Sequence, residues 1–314
     1  MDLSVIIPLF NESDSIIALG EEIVSVCQKN NIKTEIIYVN DGSTDNSWNK
    51  IKEMVSRAHD NILFRGVNFR KNMGKSFALN EGFQYAVGKV VITMDADLQD
   101  NPIEIPRFMK LILDQDFHLV SGWKKRRKDP IAKTIPTKLF NSVTRFFSGI
   151  QLNDFNCGFK AYKLEVVRSI TVSGEMHRYI PLLAKRKGYN KIGEIEVNHR
   201  EREHGKSKFG VERFSNGFLD LLTILFLNKF ADRPMHFFGL LGVMFFLIGF
   251  FIAVYFSYSK IFLNYYNMTD RPLFFLGILS MIIGSQLFLT GFLAEMIVRN
   301  KKNKTNQISE KIGF

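Results

Sequence analysis

Two carboxylates and an amide oxygen stand at alternating positions in Asp95-Ala96-Asp97-Leu98-Gln99, directly after the apolar, β-branched run Lys89 to Met94. Charged side chains that follow a buried strand cannot stay in the sheet and must project from its end. Oxygen donors at that spacing suit a hard divalent cation, which takes oxygen ligands and keeps places open for phosphates. The same residues could instead form a solvated turn before a helix opening near Pro102. A second acidic cluster, Asp41-Gly42-Ser43-Thr44-Asp45, closes the run Glu35 to Asn40 and is equally suited to turn and helix N-cap chemistry. Asn72-Met73-Gly74-Lys75-Ser76 has the end of a phosphate-binding loop, but Phe69 stands where that loop needs its first glycine. No G-x-G-x-x-G follows a strand-like run, which removes the usual dinucleotide fingerprint.

The elements that must carry these clusters alternate. Leu3 to Pro8 reads as a strand, and from Ser13 the apolar positions Ile16, Ile17, Leu19, Ile23, Val24 and Cys27 mark a helix. Glu35 to Asn40, Ile62 to Phe69, Lys89 to Met94 and Phe117 to Ser121 repeat the strand signal with helix-like segments between them. The alternation predicts an α/β fold with a mainly parallel sheet and helices on both faces. Ligands of such sheets bind beyond the carboxyl ends of the strands. The candidate loops are therefore Leu9 to Glu12, Asp41 to Asp45, Arg70 to Lys75 and Asp95 to Asp100.

With 46% hydrophobic residues and 30 Phe among 314, the chain is too apolar to be disordered. Its two cysteines, Cys27 and Cys157, exclude a disulfide framework and a cysteine zinc site, which fits a reducing compartment. The net charge of +11 points to an anionic partner: nucleotide phosphates, nucleic acid or an acidic membrane. Two uncharged runs, His236 to Tyr258 and Leu273 to Ala294, are long enough to cross a bilayer and predict a membrane hairpin. Lys229 and Arg233 precede it and Arg299, Lys301, Lys302 and Lys304 follow it, so both termini are expected on the cytoplasmic side. Met1 to Phe10 does not read as a signal peptide. The expected division is a cytosolic domain over 1–207, a juxtamembrane amphipathic helix over 208–235, two membrane helices over 236–298 and a basic cytoplasmic tail over 299–314. Ile135 to Ile150 also has a broad apolar face and could lie in the lipid interface, which makes a membrane a better partner than nucleic acid for the neighbouring basic run Lys124 to Lys128.

Taken together, Val5 to Glu12, Val39 to Asp45, Asn72 to Lys75 and Met94 to Gln99 resemble the family 2 glycosyltransferases, in the same order over the first hundred residues. Further on, Asp154-Phe155-Asn156-Cys157-Gly158-Phe159-Lys160, His177-Arg178 and Arg202 to Lys208 are similar to the polyprenyl-phosphate branch of that family. The resemblance implies a GT-A fold and an inverting transfer of a hexose from a nucleotide sugar to a polyprenyl phosphate at the inner membrane. UDP-glucose is the favoured donor and GDP-mannose the next, with Mg2+ or Mn2+ as cofactor and a homo-oligomer, in some members a tetramer, as the assembly.

Carried over by residue, the resemblance places Pro8, Phe10, Glu12, Asp41, Lys75, Asp95 and Ala96 around the nucleotide. It gives Asp95, Asp97 and Gln99 to the metal and Arg202 and Lys208 to the leaving diphosphate. Lys124, Lys138 and Ser142 fall to the acceptor phosphate, although the family more often has Arg at the first of these. Asp154 takes the position of the proposed base, where orienting the acceptor would explain a carboxylate equally well. Competing readings are a membrane-anchored nucleotide-sugar-binding scaffold and a transferase with a non-lipid acceptor. A processive polysaccharide synthase is disfavoured because neither Trp48 nor Trp123 follows an arginine, as a Q-x-x-R-W element requires.

Overall fold

The computed structural model describes residues 1–57, 59–125, 141–146, 148–174, 176–198, 200, 230, 233–263, 271–299 and 308–313. Two compact units emerge, one of Met1–Leu221 with Asn306–Phe314 and one of Leu222–Thr305.

In the first unit, β1 (Leu3–Leu9) and β2 (Thr34–Asn40) are buried along their whole length, as strands covered on both faces must be. Between them α1 (Ile16–Lys29) buries Ile16, Leu19, Ile23, Val24 and Cys27, one stripe at helical spacing. The alternation continues through α2 (Ser47–Ser56), β3 (Ile62–Phe69), α3 (Lys75–Tyr85) and β4 (Val90–Thr93). A 3-10 turn at Pro102–Glu104, opened by the Asn101 carboxamide on the Ile103 amide (3.1 Å), leads into α4 (Ile105–Leu113) and β5 (Leu119–Trp123). β6 (Lys160–Lys163), α5 (Leu164–Ser169), α6 (Ile180–Arg186) and β7 (Ile192–Glu196) complete this stretch.

The described strands form one sheet in the order β7-β5-β6-β4-β1-β2-β3-β8, where β8 is Ile308–Ile312. β1 pairs in parallel with both β2 and β4, and β2 with β3. The strand order therefore reverses between β1 and β4, and a crevice opens at their carboxyl ends. β6 runs antiparallel between β4 and β5, and β8 antiparallel to β3. One core, with Ile16, Leu19, Met54 and Phe108, lies between the sheet and α1, α2 and α4; the other, with Leu79, Phe83, Val166 and Ile180, lies under α3, α5 and α6. At the amino ends of the strands the fully buried Glu35 carboxylate meets Arg65 at 2.8 Å, the Val87 amide at 2.7 Å and the Ser4 hydroxyl. A buried charge needs such partners.

The five strands expected from the sequence are present as β1 to β5. β6, β7 and β8 were not foreseen, because KAYK, IGEIE and ISEKI are short, carry charges and lack the apolar run that signals a buried strand. β8 lies within the segment read as a basic tail. The stretch read as a juxtamembrane helix is almost entirely outside the described residues.

The second unit holds α7 (Pro234–Leu263) and α8 (Pro272–Arg299). At 1.5 Å per residue they are about 45 and 42 Å long, enough for a bilayer core of roughly 30 Å. They meet through glycines: a Cβ on Gly242 would lie 2.7 Å from the Gly284 carbonyl oxygen. Outside this seam large apolar side chains stay uncovered, Leu240 by 73%, Phe251 by 65% and Ile261 by 69%, an arrangement no water-soluble core produces.

Candidate active site

The loops after β1 and β2 are built into each other. Asn11 takes a left-handed backbone (φ 54°) at the end of β1; its amide donates to Ser43 Oγ (2.8 Å) and its Oδ1 accepts from the Thr44 amide (2.8 Å). The Glu12 amide donates to Ser47 Oγ (3.1 Å) and the Ser13 amide to Asp45 Oδ2 (3.2 Å). Asp45 Oδ1 in turn accepts from the Ser47 amide (2.9 Å), a turn bond just ahead of α2; the N-cap itself is Asn46, so of the two roles its spacing allowed Asp45 takes the turn.

Asp41 is turned the other way. Its carboxylate accepts from the amides of Met73 (2.6 Å) and Gly74 (2.9 Å), so it organises the loop before α3; burial raises its pKa and these two bonds oppose the rise. Gly42 makes that contact possible, because at φ 68° a Cβ would lie 2.6 Å from the Asn72 nitrogen. Pro8 is buried at the end of β1, while Phe10 and Glu12 are half-buried beside this crevice.

Across the crevice, beyond β4, lie Asp95, Asp97 and Asp100. Asp95 pairs with Lys75 at the start of α3. Burial opposes its charge, but Lys75 and Lys124 outweigh burial and hold the pKa at about 2. Asp97 has the opposite balance: burial, then the charges of Asp95 and Asp100, lift it to about 6. Ala96 is buried between them. Gly158 allows Asp95 its place, since a Cβ there would come within 2.5 Å of Asp95 Oδ2. The Gln99 side-chain amide donates to the Arg200 carbonyl (3.4 Å), and the Arg200 amide donates to the Gln99 carbonyl (2.9 Å).

Among the described residues, no three His, Cys, Asp or Glu side chains converge closely enough to enclose a metal ion. The surroundings of Asp97 nevertheless fit a divalent cation bound partly by another molecule. Carboxylates are crowded at the end of one strand, the donors are oxygens, and the buried Asp100 Oδ2 and Asn156 Oδ1 have no hydrogen-bond partner among the described residues.

The Lys124 ammonium meets Asp100 Oδ1 at 2.8 Å. Asp154 is buried, its Oδ1 accepting from the Asn156 amide (3.1 Å) while Glu194 Oε1 accepts from its own amide (2.9 Å). Ser142 is exposed on the helical stretch 141–146. Lys138, Arg202 and Lys208 lie outside the described residues.

The sequence singled out Asp95, Asp97 and Gln99 as one motif and Lys75 and Lys124 in separate segments; the structure brings them to one crevice. It adds three partners the reading had missed as such. Asp100 is the third carboxylate of the cluster. Gly158 makes room for Asp95. The Ser76 hydroxyl contacts His177 Nδ1 (3.1 Å), and His177 is kept neutral with a pKa near 3 by burial and by Lys75, Arg178 and Lys160. Contacts between residues some hundred positions apart leave no local signal.

Comparison with known proteins agrees with this geometry. The family described as Glycosyl transferase family 2 matches residues 4–171. Dodecaprenyl-phosphate galacturonate synthase of Rhizobium johnstonii is 34% identical over 301 residues, covering 95% of this chain and 88% of that protein. Undecaprenyl-phosphate 4-deoxy-4-formamido-L-arabinose transferase of Pectobacterium carotovorum subsp. carotovorum is 34% identical over 298 residues, with 95% and 88% covered. Among solved structures, glucosyl-3-phosphoglycerate synthase from Mycobacterium tuberculosis in complex with Mn2+ and UDP-glucose superimposes with a TM-score of 0.54 at 19% identity, over 72% of this chain and 78% of that one. At that identity the likeness is one of fold, the GT-A fold.

Proposed function

The chain belongs to glycosyl transferase family 2, and from that premise we propose that it transfers a sugar from a nucleotide sugar to a polyprenyl phosphate at the cytoplasmic face of a membrane. The observation that carries this reading is the crowding of Asp95, Asp97 and Asp100 beyond β4, at the point where the strand order reverses and beside cations suited to phosphate. Relatives named for dodecaprenyl- and undecaprenyl-phosphate products, aligned over 95% of the chain, support the lipid acceptor. The two long helices with uncovered apolar surfaces support the membrane.

In this reading Pro8, Phe10 and Glu12 border the nucleoside, with Asp41 shaping the loop that closes over it. Lys75 and Asp95 face the ribose and sugar side, with Ala96 beside them. Asp97 and Gln99, with Asp95 close by, would hold Mg2+ or Mn2+, which when bound supplies positive charge against the departing diphosphate. Arg202 and Lys208 are assigned to the same leaving group; Arg202 is two residues beyond Arg200, whose backbone is bonded to Gln99. Lys124, Lys138 and Ser142 are assigned to the acceptor phosphate.

An acceptor oxygen forms the new bond to the anomeric carbon as the bond to the diphosphate breaks, and the electron pair leaves with the nucleoside diphosphate, inverting that carbon. A phosphate monoester with a second pKa near 6 is mostly a dianion at pH 7, so little base catalysis is needed. Asp154, buried and bonded to the Asn156 amide, is then an orienting group. Positioning and charge neutralisation carry the rate.

The relatives' names widen the donors to be tested from glucose and mannose to uronic and amino sugars. Incubating the purified protein with undecaprenyl phosphate and a panel of nucleotide sugars, then weighing the lipid product, tests the reading. One donor should yield a glycolipid in a chelator-sensitive reaction. Nucleotide binding with no released nucleoside diphosphate for any donor would establish the scaffold reading instead. Assembly into a tetramer is a further part of the proposal, checked by the mass of the detergent-solubilised protein.

A further inference from the structure

The segment that carries Asp154 belongs to no helix or strand, yet every backbone amide and carbonyl of Asn153, Asp154 and Phe155 is bonded to a side chain. Glu194 on β7 accepts from the amides of Asn153 and Asp154 (both 2.9 Å) and from the Asn153 side chain (2.8 Å). The buried Asn141 donates to the Asn153 carbonyl (2.7 Å) and accepts from the Phe155 amide (3.4 Å), so one carboxamide spans the two peptide groups that flank Asp154. Ser121 on β5 donates to the Asp154 carbonyl (3.3 Å), and Lys160 on β6 to the Phe155 carbonyl (3.2 Å). Backbone groups shielded from water need partners, which a helix or strand draws from other backbone. Here side chains from four separate places supply them, so a substitution can move Asp154 without unmaking any element.

Asn141 is next in sequence to Ser142 on the helical stretch 141–146, and Arg145 of the same stretch donates to the Asn153 side-chain oxygen (3.3 Å). The two groups that the proposed transfer gives to the acceptor, Ser142 and Asp154, are therefore joined through one side chain. We propose that Asn141 and Glu194 are positioning residues for the acceptor: Glu194 fixes the Asp154 segment to the sheet, Asn141 fixes the helical stretch to that segment, and the separation of Ser142 from Asp154 so set is the one that a phosphate monoester fits. The inference rests on the proposed transfer and names the residues that set its acceptor geometry. Neither side chain has to touch the lipid. A carboxylate accepting from amides makes stronger bonds than a neutral acceptor does, which suits Glu194 to the fixed end of this chain of contacts.

The test is calorimetric binding of farnesyl phosphate and, separately, of UDP with Mn2+ to the full-length protein in detergent. Asn141→Ala should weaken farnesyl phosphate binding about tenfold through misplacement, with UDP binding unchanged. Glu194→Gln keeps the side chain's shape, removes a negative charge and turns an NH2 group towards donors. Charge alone would tighten the binding of an anion, whereas a displaced Asp154 segment should weaken it by about the same tenfold. Unchanged farnesyl phosphate affinity in Asn141→Ala, or unchanged or tighter affinity in Glu194→Gln, overturns the positioning role. An equal loss of UDP binding in Glu194→Gln marks a general disturbance of the fold and overturns it too. In transfer assays both variants should raise KM for farnesyl phosphate and leave KM for the donor as it was. Failure of the wild-type protein to transfer any sugar, while farnesyl phosphate affinity still falls in both variants, would sink the proposed reaction and leave the positioning role standing.

Discussion

Asp97 sits where its charge is opposed, first by burial and then by Asp95 and Asp100, so its pKa is about 6 rather than the ordinary 3.8. Between those values the folded protein binds more protons at this site than the unfolded chain. Linkage then makes this residue's contribution to stability fall as pH rises through that window. A cation on the carboxylate reverses the penalty. Mn2+ should therefore raise Tm by several degrees at pH 7, and the gain should fade below pH 6 and vanish in Asp97→Asn; an equal gain in that variant would remove Asp97 from the metal site. Transfer by Asp97→Asn should drop at least about a thousandfold, the scale of a lost charge-stabilising contact in a transition state. His177 gives the opposite sign: burial keeps it neutral, so its contribution is full above the unfolded pKa of 6.5 and is lost as pH falls towards 3. Gly158→Ala tests the same site from outside the ligand set. The added methyl would displace the Asp95 carboxylate, and kcat/KM should fall about tenfold or more through misplacement, while Tm changes little. The ligand-type residues were legible because they follow apolar strands and cannot remain in the sheet. Gly158 and Asp100 were not, because their importance lies in what they touch.

The same division between local and distant signals holds for the elements. β1, β2 and β4 could be read from apolar runs because both faces of those strands are covered, and β3 from its β-branched and aromatic residues although Arg65 and Asn68 interrupt it. β6 lies inside the sheet yet spans only four residues with a lysine at each end, and the Lys160 ammonium is satisfied by the Phe155 and Cys157 carbonyls rather than by solvent. No sequence rule would place that lysine in a core. β8 covers β3, which would otherwise present an open edge, and Ile312 packs over Gly66, where a Cβ would lie 3.1 Å from the isoleucine Cγ1. Ile312→Asn should cost about 1–3 kcal/mol by placing an amide against that apolar contact. Deleting residues 308–314 should lower Tm further and promote aggregation through the exposed edge. Unchanged thermal stability of the deleted protein would show that β8 does not brace the sheet.

For the whole molecule, the decisive fact is that the chain leaves the α/β unit, runs through two apolar helices and then returns a strand to the same sheet. Hydrogen bonds between β8 and β3 require both segments to share one compartment, so the helices between them cross a membrane an even number of times or not at all. Their exposed apolar surfaces favour crossing, and two crossings put residues 264–270 on the opposite side. The basic residues give the direction. Arg299, Lys301, Lys302 and Lys304 flank the returning end, whereas at the opposite end of the hairpin only Lys260, in the last turn of α7, and Arg271 are basic, so the α/β unit is expected to face the cytoplasm. Fluorescent protein fused after Phe314 should therefore fold and fluoresce, and alkaline phosphatase inserted within 264–270 should be active. Active phosphatase at the C-terminus instead would reverse the orientation and, because β8 pairs with β3, would place the whole α/β unit on the far side of the membrane. The sheet order would fall only if fusions at the two ends of the chain reported opposite sides, because the β3–β8 hydrogen bonds hold both ends in one compartment.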